Sequence, residues 1–326
     1  MTKKQLEKLS IQFGTLNVAV LADVFLDKYT YGLVRGTSLE TPVPLYEFER
    51  RVIAPGAAGN VASNFAALGA TVTLIGAIGD DDDSRTLVGA LKERKVKTNA
   101  LVQLKSTPTN SYEKFIARAP NGKSQEVLLM QTRIDENSAM ERARTKILAN
   151  LENVSNLFDA VVVVDQVSHL CNETVFAEVT SLCKKLKVLS VGNSRHQIRW
   201  CKDFDLLVVN ELEAAQASSE THTTSDHTFL GRILLPQVRQ AVLLTAGPDG
   251  TWLFEKKSPP VHHPSIAKEI VDITGAGDTA LATYVCARLA QVPGMDALFL
   301  ANAAAAVVIL KPGTATASMK EIARLL

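Results

Sequence analysis

Short apolar runs alternate with helical patterns along most of the chain. The runs are rich in Val and Leu and lack polar alternation, which is typical of strands buried on both faces of a parallel sheet. The strands predicted in this way are residues 16–21, 71–75, 161–164, 188–191, 206–209 and 242–245. Between them, Val61, Phe65 and Leu68 recur at helical spacing before Gly69, and residues 173–185 fill the interval between two strands. The pattern predicts an α/β fold with a doubly wound, mostly parallel sheet, in a single domain over residues 1–326.

Two regions, residues 28–55 and residues 100–133, interrupt this alternation and have the composition of extended chain. The second region contains two apolar stretches on either side of the turn sequence Pro120-Asn121-Gly122. We predict that the two regions form a small β-sheet that projects from the main domain as a lid. The alternative is a pair of long surface loops, which are uncommon in compact domains.

The composition is that of an ordinary globular chain of 326 residues, with 46% hydrophobic and 21% charged residues. The formal charge of +1 gives no support for binding to nucleic acid or to a membrane surface. No apolar run is long enough to span a bilayer, and the polar, Lys-rich start does not have the pattern of a signal peptide. The four cysteines are too widely spaced for a zinc or redox motif. We therefore expect a cytoplasmic protein with reduced thiols.

The strongest chemical motif is Val-Asp-Ile-Thr-Gly-Ala-Gly-Asp-Thr at residues 271–279, which precedes a helical pattern. Small residues at the start of a helix expose its first backbone N–H groups, and the partial positive charge there favours an anion. We expect the amides of Gly275, Ala276 and Gly277 to hold a transferring phosphoryl group. Asp278 is itself anionic and is expected to be the base that accepts a proton from an attacking hydroxyl. A branched side chain at Gly277 is expected to block the phosphate and to strain a turn at positive φ.

Two other interpretations of this motif remain. Asp278 can be an ordinary N-cap of the helix. The spacing Gly275-x-Gly277-x-x-Ala280 also fits a dinucleotide fingerprint, but that motif requires an early βαβ unit and space for pyrophosphate where this chain has a carboxylate. The chain contains no G-x-x-x-x-G-K-[ST] sequence, so the motif of the P-loop proteins is absent.

The segment Asp-Ile-Thr-Gly-Ala-Gly-Asp-Thr resembles the C-terminal signature of the ribokinase/PfkB carbohydrate kinases. The second signature of that family, a Gly-rich turn into a helix with an Asn that binds sugar, is matched by Pro-Gly-Ala-Ala-Gly-Asn-Val-Ala at residues 55–62. The resemblance runs from about residue 16 to residue 316. It implies a ribokinase-like fold, ATP and Mg²⁺ as cofactors, a small-molecule sugar or sugar phosphate as substrate, and a homodimer formed through the lid.

Within that family the chain resembles in particular the D-glycero-D-manno-heptose 7-phosphate kinases. Their motifs are matched by Ala-Asp-Val-Phe-Leu-Asp-Lys-Tyr at residues 22–29, Ser-Leu-Glu-Thr-Pro-Val-Pro at residues 38–44 and Arg133-Ile134-Asp135. The resemblance implies that Asp23, Asp27 and Asn60 contact sugar hydroxyls and that Gly56 belongs to the same site. The residues alone also allow Asp23 and Asp27 to cap the end of a strand.

Further segments resemble the nucleotide side of these kinases. Asn210 and Glu213 are implied to lie near the phosphates and Mg²⁺, although Asn-x-x-Glu is also a capping box. Residues 245–250 resemble the loop beside the nucleotide, and the alternative is a plain hairpin turn. The residues implied on this side are Asn210, Glu213, Thr245, Gly247, Gly250, Thr274 and Asn302. A monovalent cation such as K⁺ is a further cofactor that the resemblance implies.

A phosphorylated sugar needs a cationic partner placed away from Asp278. Lys114, Arg118 and Arg133 in the second lid region, and Arg35 in the first, offer such a partner. In an extended strand Lys114 and Arg118 share a face, so we expect both to point into the cleft below the lid. The alternative is that they are solvated surface charges.

The chain also departs from the heptose kinase pattern. Asp-Gln-Val-Ser-His at residues 165–169 replaces D-Y-x-K-G, Asn-Ser-Arg at residues 193–195 replaces D-P-[KR], and Ala22 and Ala57 replace glycines. These departures leave open a sugar or nucleoside kinase with another substrate, or a catalytically silent ligand-binding relative. A dinucleotide oxidoreductase is the remaining alternative.

Two other groups of polar residues are interpreted as structural. The four acids of residues 80–83 are expected in the first turn of a helix, where negative charge is favoured. His222, His227, His262 and His263 lack the spacing of a metal-ligand framework and are expected to be solvated loop residues.

Overall fold

The computed structural model describes residues 1–22, 24–105, 107–119, 124–131, 138–154, 157–166, 170–218 and 226–326. Its strands in chain order are β1 (Asn17–Ala22), β2 (Val24–Thr37), β3 (Pro44–Ala57), β4 (Thr71–Ile78), β5 (Lys97–Gln103), β6 (Ser111–Arg118), β7 (Ser124–Gln131), β8 (Ala160–Asp165), β9 (Leu189–Ser194), β10 (Leu206–Asn210), β11 (Ala241–Thr245), β12 (Thr251–Glu255) and β13 (Val261–His263). Its α-helices are α1 (Lys3–Phe13), α2 (Ala58–Leu68), α3 (Asp82–Glu93), α4 (Ser138–Val154), α5 (Glu173–Leu186), α6 (Glu211–Ala217), α7 (His227–Leu234), α8 (Ala276–Leu289), α9 (Gly294–Val308) and α10 (Met319–Leu325).

The main sheet has its strands in the order β13-β12-β11-β10-β9-β8-β1-β4-β5. Neighbouring strands from β11 to β5 run parallel, whereas β12 and β13 are antiparallel additions at one edge. The chain runs outward from β1 to β4 and β5 and then returns to the other side of β1 with β8. At such a reversal the carboxyl ends of a doubly wound sheet open a crevice in which ligands bind.

Helices cover both faces of this sheet. Alternate residues of β1 show the division, because successive side chains of a strand point to opposite faces. Val18 and Val20 pack in a core with α1, α2, α3, α8, α9 and α10, and Ala19 and Leu21 pack in a second core with α4, α5, α6 and α7. All four side chains are completely buried. The predicted doubly wound α/β fold is therefore confirmed.

A separate small sheet has the strand order β3-β2-β6-β7. β2 pairs antiparallel with β3 and parallel with β6, and β6 pairs antiparallel with β7. The prediction of a second sheet is confirmed, and the alternative of two long loops is wrong. One boundary was placed too early, because residues 100–103 belong to β5 in the main sheet. Ala100 and Val102 are buried there in the core that includes α4, which holds this segment on the main domain.

The six strands predicted from apolar runs correspond to β1, β4, β8, β9, β10 and β11. The predicted helix around Val61 is α2, and it ends at Gly69, whose φ of 110° is one that glycine adopts without strain. The helix predicted for residues 173–185 is α5. Two of the four acids, Asp82 and Asp83, lie in the first turn of α3 as expected, whereas Asp81 is its N-cap and Asp80 precedes it.

The expectation for the histidines is wrong for His227, which is only 7% exposed and begins α7. Its ring packs near Trp252 and its Nε2 atom hydrogen-bonds with Glu211, so a partner and an apolar neighbour make burial favourable. The expectation is also wrong for His262 and His263, which lie in β13 and are partly buried. His222 lies outside the described residues. The four cysteines are buried, and no disulfide joins them among the described residues. In the part of the chain described here, no helix combines the length and apolar character needed to cross a bilayer.

Candidate active site

The site is built around the start of α8. Gly275 is the N-cap with φ 80°, a left-handed conformation that glycine adopts without steric cost, and the helix begins at Ala276. Asp278 is thus the third helical residue, and its interpretation as an ordinary N-cap is wrong. The first N–H groups of a helix have no partner within it, so this end can receive an anion. The Ala276 N–H already donates to Ile273 O at 3.2 Å.

Asp278 is held by a polar network between α2 and α8. Asn60 on α2 is completely buried and donates its Nδ2 to Asp278 Oδ2 at 2.8 Å. Asn64, one turn later, donates Nδ2 to Asn60 O at 3.0 Å and accepts a hydrogen bond from Thr279 Oγ1 at 2.8 Å. A side chain at Gly275 has no room, because its Cβ would lie 2.6 Å from Asn60 Nδ2. These contacts fix the carboxyl group relative to the helix end.

The electrostatic surroundings of Asp278 suit a proton acceptor. Burial raises the pKa of Asp278 from 3.8 to about 6, while the hydrogen bond from Asn60 and the charge of Arg195 act in the opposite direction. A carboxyl group with this pKa is mostly ionised at neutral pH and is a stronger base than a solvated aspartate. Perturbed carboxyl groups of this kind are enriched in active sites, although structural networks also produce them.

A second carboxyl group, that of the partly buried Asp27 on β2, lies close to the first. Burial and then the charge of Asp278 raise the pKa of Asp27 to about 7, and Arg94 and Tyr29 oppose this shift. Arg94 follows α3 and donates Nη2 to Thr314 O at 3.3 Å. The small sheet, α3 and the segment before α10 therefore meet around Asp27.

Asp272 ties two loops together beside the start of α8. Its Oδ1 accepts hydrogen bonds from the N–H and the hydroxyl of Thr274, at 2.9 and 2.6 Å. Its Oδ2 accepts one from Gly313 N at 2.9 Å. These hydrogen bonds, the Thr274 side chain first, lower the pKa of Asp272 against the effect of burial. The carboxylate thus fixes both the loop before Asp278 and the loop that carries Thr314.

The opposite wall is formed by residues that follow parallel strands. Asn210 ends β10 and forms the predicted capping box with Glu213, with Glu213 N to Asn210 Oδ1 at 2.8 Å and Asn210 N to Glu213 Oε2 at 2.9 Å. Burial raises the pKa of Glu213, because the ionised carboxylate is less stable away from water. A nearby cation reduces this free-energy cost. Thr245 ends β11, and residues 245–250 form a tight hairpin into β12, with Gly247 and Gly250 at positive φ. Both structural alternatives considered for these segments are therefore confirmed.

Together these elements enclose a cleft of about 420 Å³. The described residues that line it are Asp27, Lys28, Tyr29, Ala57, Tyr112, Lys114, Leu128, Gln166, Asn193, Arg195, Val208, Val209, Asn210, Glu213, Thr245, Thr274, Gly275, Gly277, Asp278, Leu281 and Thr314. The small sheet supplies one side and the carboxyl ends of β8 to β11 supply the other. The cleft is thus placed where a doubly wound sheet binds ligands.

The structure brings nine of the predicted site residues to this cleft, namely Asp27, Lys114, Asn210, Glu213, Thr245, Thr274, Gly275, Gly277 and Asp278. Asn60 does not line the cleft itself, but it hydrogen-bonds to Asp278, which does. Residues predicted for the site that do not line the cleft are Gly56, Ala276, Arg118, Gly247, Gly250 and Asn302. Asp23 and Arg133, and residues 167–169 of one departure from the heptose pattern, lie outside the described residues.

Two of these placements have clear physical reasons. Asn302 is 5% exposed and donates its amide to His263 O at 2.9 Å and to Pro264 O at 3.2 Å, so it holds the chain after β13. Arg118 lies at the end of β6, four residues beyond Lys114, and at ~3.3 Å per residue this places it roughly 13 Å further along the strand. Its side chain is 65% exposed and pairs with Glu49 at 3.3 Å. Sharing a face with Lys114 is therefore not enough to reach the cleft.

Gly277 also differs from expectation in one respect. Positive φ belongs to Gly275, and the described glycines with positive φ do not include Gly277. An added Cβ at Gly277 meets no atom within 4 Å. A side chain there would therefore extend into the cleft without straining the backbone.

Arg195 lines the cleft, although the sequence marks it only as part of a departure from the heptose pattern. It follows β9, and its Nη2 donates to Gln166 Oε1 at 3.3 Å after β8. Its charge acts on the pKa of both Asp278 and Glu213. The available signal was positional, because polar residues that follow neighbouring parallel strands converge at one edge of the sheet.

Comparison with known proteins agrees with this geometry. The model of the pfkB family carbohydrate kinases matches residues 19–321. The chain belongs to the pfkB family of carbohydrate kinases. The match covers most of the chain, and the predicted family and the predicted enzyme class, an ATP-dependent carbohydrate kinase, are thereby confirmed.

Two curated relatives of this pfkB family member are both called bifunctional protein HldE. The protein of Geobacter sulfurreducens is 30% identical over 99% of this chain and 65% of its own length. The protein of Gluconacetobacter diazotrophicus is 31% identical over 96% of this chain and 64% of its own length. The chain thus spans slightly less than two thirds of the relatives it matches.

Solved structures share the fold. Arabidopsis thaliana ribokinase complexed with ribose and ATP superposes with a TM-score of 0.72 at 19% identity, over 95% of this chain and 98% of that one. Escherichia coli phosphofructokinase-2 in complex with potassium gives a TM-score of 0.74 at 15% identity, over the same shares of the two chains. The predicted ribokinase-like fold is confirmed.

Proposed function

We propose that this pfkB family chain transfers the γ-phosphoryl group of ATP to a hydroxyl of a phosphorylated sugar, with heptose 7-phosphate as the first candidate. The observation that carries the proposal is the position of Asp278. Its carboxylate stands at the open N-terminal end of α8, in one cleft with the Lys114 cation of the small sheet and with the acidic residue Glu213 after β10.

The proposed step is an in-line displacement. The substrate hydroxyl oxygen attacks the γ-phosphorus, its proton passes to the Asp278 carboxylate, and the bond from the γ-phosphorus to the β–γ bridging oxygen breaks. The free amides at the start of α8, among them that of Gly277, stabilise the charge on the transferring group. ADP leaves with the bridging oxygen, and the sugar leaves as a phosphate ester.

The acceptor side is assigned to residues around β2 and α2. Asp27 faces the cleft near Asp278, and it is proposed to accept a hydrogen bond from a sugar hydroxyl. Asn60 is completely buried with its amide on Asp278, so its role here is to hold that carboxylate as much as to meet the sugar. Asp23 and Gly56 remain predictions from the family resemblance.

The donor side is assigned to residues after β9, β10 and β11. The charge of Arg195 acts on both Asp278 and Glu213, and a cation at this place favours the phosphates of ATP. The capping box occupies Oε2 of Glu213, and burial of this carboxylate is costly without a nearby cation. These properties fit Mg²⁺ held near Glu213 and Asn210, directly or through water. When bound, Mg²⁺ neutralises charge on the donor phosphates. A K⁺ requirement stays a prediction.

Lys114 is proposed to recognise the phosphate that the sugar already carries. It lines the cleft, is 31% exposed, and pairs with one carboxylate among the described residues, that of Glu126 at 3.4 Å. A charge-assisted contact is worth about 1.5–3 kcal/mol, so Lys114→Ala should raise KM for the phosphorylated sugar by about 10- to 100-fold and leave KM for ATP unchanged. Arg118→Ala is the matched control, because Arg118 is on the same strand and face but outside the cleft.

The experiment that tests the function is ADP release with a panel of sugars and sugar phosphates, heptose 7-phosphate included. Consumption of unphosphorylated sugars alone would contradict the sugar-phosphate assignment and favour an ordinary sugar or nucleoside kinase. The departures at residues 193–195 favour that second candidate, since Asn193 and Arg195 line the cleft. Absence of turnover across the panel, with ATP bound in calorimetry, would instead support a silent ligand-binding relative.

A homodimer through the small sheet is also proposed. Residues 44–53 of β3 are exposed along their whole length, and Leu45, Phe48, Val127 and Leu129 on this sheet are each more than half exposed. Apolar side chains in such numbers on one small sheet favour a protein partner. Sedimentation equilibrium of the purified chain measures the mass directly, and a monomer at micromolar concentration would contradict the proposal.

A further inference from the structure

Three metal-ligating side chains converge outside the cleft. Glu211 is the first residue of α6, His227 is the first residue of α7, and Asp249 lies in the turn that joins β11 to β12. One ligand atom from each lies within 4.8 Å of the other two. His227 Nε2 hydrogen-bonds with Glu211 Oε1 and is 4.0 Å from Asp249 Oδ2.

The imidazole and the carboxylates differ in their exposure. The His227 side chain is 8% exposed and its ring packs 5.7 Å from that of Trp252, so its orientation is set by the core. The side chains of Glu211 and Asp249 are 41% and 68% exposed. The backbone of the turn is held as well, because His262 Nε2 donates to Asp249 O at 2.7 Å. A fixed nitrogen thus faces two carboxylates that can rotate and that an ion can reach from solvent.

We propose that Glu211, His227 and Asp249 form a binding site for a divalent transition-metal ion of the zinc class. One imidazole nitrogen and two carboxylate oxygens are ligands that Zn²⁺ takes at about 2.0–2.2 Å, and tetrahedral ligands at this distance are roughly 3.3 Å apart. The Asp249 oxygen must therefore approach His227 Nε2 by roughly 0.7 Å, and the Glu211 oxygen must withdraw from it by at least as much. The imidazole ligand favours this class over Mg²⁺ or Ca²⁺, which prefer oxygen ligands.

Asp249 distinguishes this site from a simple structural contact. A hydrogen bond between His227 and Glu211 suffices to join α7 to α6, and it makes no use of the Asp249 carboxylate. At 4.0 Å, Asp249 Oδ2 is beyond hydrogen-bond distance from the imidazole. A third ligand is needed for a metal site and is superfluous for the contact. None of the three residues lines the cleft, so the proposal does not depend on the kinase function.

The test is Zn²⁺ binding to the purified full chain by isothermal titration calorimetry, with Co²⁺ absorption as a second probe of the ligand set. We expect one ion per chain, and at least about tenfold weaker binding in Asp249→Asn and in His227→Gln. Asp203→Asn is the control, because Asp203 is an exposed carboxylate whose described ion-pair partner is Lys184 alone. It should bind Zn²⁺ like the unmodified chain.

Three results would overturn the proposal. The first is no Zn²⁺ or Co²⁺ binding by the unmodified chain at millimolar ion. The second is binding that neither variant weakens, which would place the ion elsewhere. The third is binding that is weakened by His227→Gln but unchanged by Asp249→Asn, which would remove the third ligand. Circular dichroism checks that each variant folds, and Asp249→Asn, at an exposed turn position, decides the question should His227→Gln fail to fold.

Discussion

Replacing Asp278 by Asn tests the proposed base with little change in shape. The amide oxygen of the new side chain can still accept the 2.8 Å hydrogen bond from Asn60 Nδ2. With a pKa of about 6, the Asp278 carboxyl group is mostly ionised at pH 7.5. Nearly the full contribution of a general base is therefore present in the unmodified enzyme. We expect kcat to fall by at least ~10²-fold in the variant, with KM for ATP nearly unchanged.

The same substitution should not destabilise the fold. Burial raises the pKa of Asp278 from 3.8 to about 6, so ionisation of this group weakens the native state as pH rises through this range. About two pKa units correspond to roughly 3 kcal/mol, which is an upper limit for the gain when the charge is removed. Urea unfolding at pH 7.5 should show Asp278→Asn to be at least as stable as the unmodified chain.

The assay is coupled detection of ADP between pH 5 and 8. For the unmodified enzyme, kcat/KM should fall about tenfold per pH unit below pH 6, and this dependence should disappear in the variant. Asp296→Asn is the matched control, because Asp296 is the exposed third residue of α9 and experiences a similar helix-end field. A kcat within threefold of the unmodified enzyme would remove Asp278 from the chemistry. A loss of kcat that parallels a loss of stability would make its role structural.

Three further predictions concern stability. Ala57 has φ 48° and ψ −125°, which a residue with a Cβ adopts only under strain, so Ala57→Gly should stabilise the fold by about 1 kcal/mol in urea unfolding. The control Ala66→Gly, inside α2, should destabilise it by a similar amount. Equal losses of stability in the two variants would show that Ala57 is not strained. Gly275→Ala should destabilise by more than about 1 kcal/mol and lower kcat, because φ is 80° and the Cβ approaches Asn60; a stable, fully active variant would refute this. Burial raises the pKa of Asp27 to about 7, so the native carboxyl keeps a proton that the unfolded chain loses near pH 4, and stability is lost as pH rises from about 4 to 7. Asp278 contributes a similar loss between about pH 4 and 6, so Asp27→Asn should make the pH dependence of stability shallower without abolishing it. A profile parallel to that of the unmodified chain would disprove this.

Apolar runs were sufficient to predict the centre of the main sheet but not its edges. β8 and β10 are buried along almost their whole length and read as continuous Val and Leu. β5 has only two buried residues among seven, so its sequence looked like part of the extended lid region. The sequence also does not show that His227 begins a helix and is buried, because its partners are distant in sequence. The burial of His227 follows from Glu211 and Trp252, which are 16 and 25 positions away in sequence.

The motif around Asp278 predicted the centre of the site because its chemistry is local to a helix end. Residues that meet only through the topology were harder to recognise. Arg195 and Gln166 come together because β8 and β9 are neighbours, and Arg94 reaches Thr314 from the end of α3. Conversely, alternation along a strand gave Lys114 and Arg118 one face but contained no information about how far the cleft extends along it.

The small sheet leaves and re-enters the main domain beside the reacting groups. β2 starts at Val24, just after β1, and β3 passes at Ala57 directly into α2, which carries Asn60. On the proposed function, acceptor recognition is thus confined largely to two inserted strand pairs, while the donor groups follow strands of the main sheet. On this assignment we expect substitutions in β2 and β6 to change the choice of sugar while the binding of ATP is kept. For protein engineering, these strands are the place to begin a change of substrate.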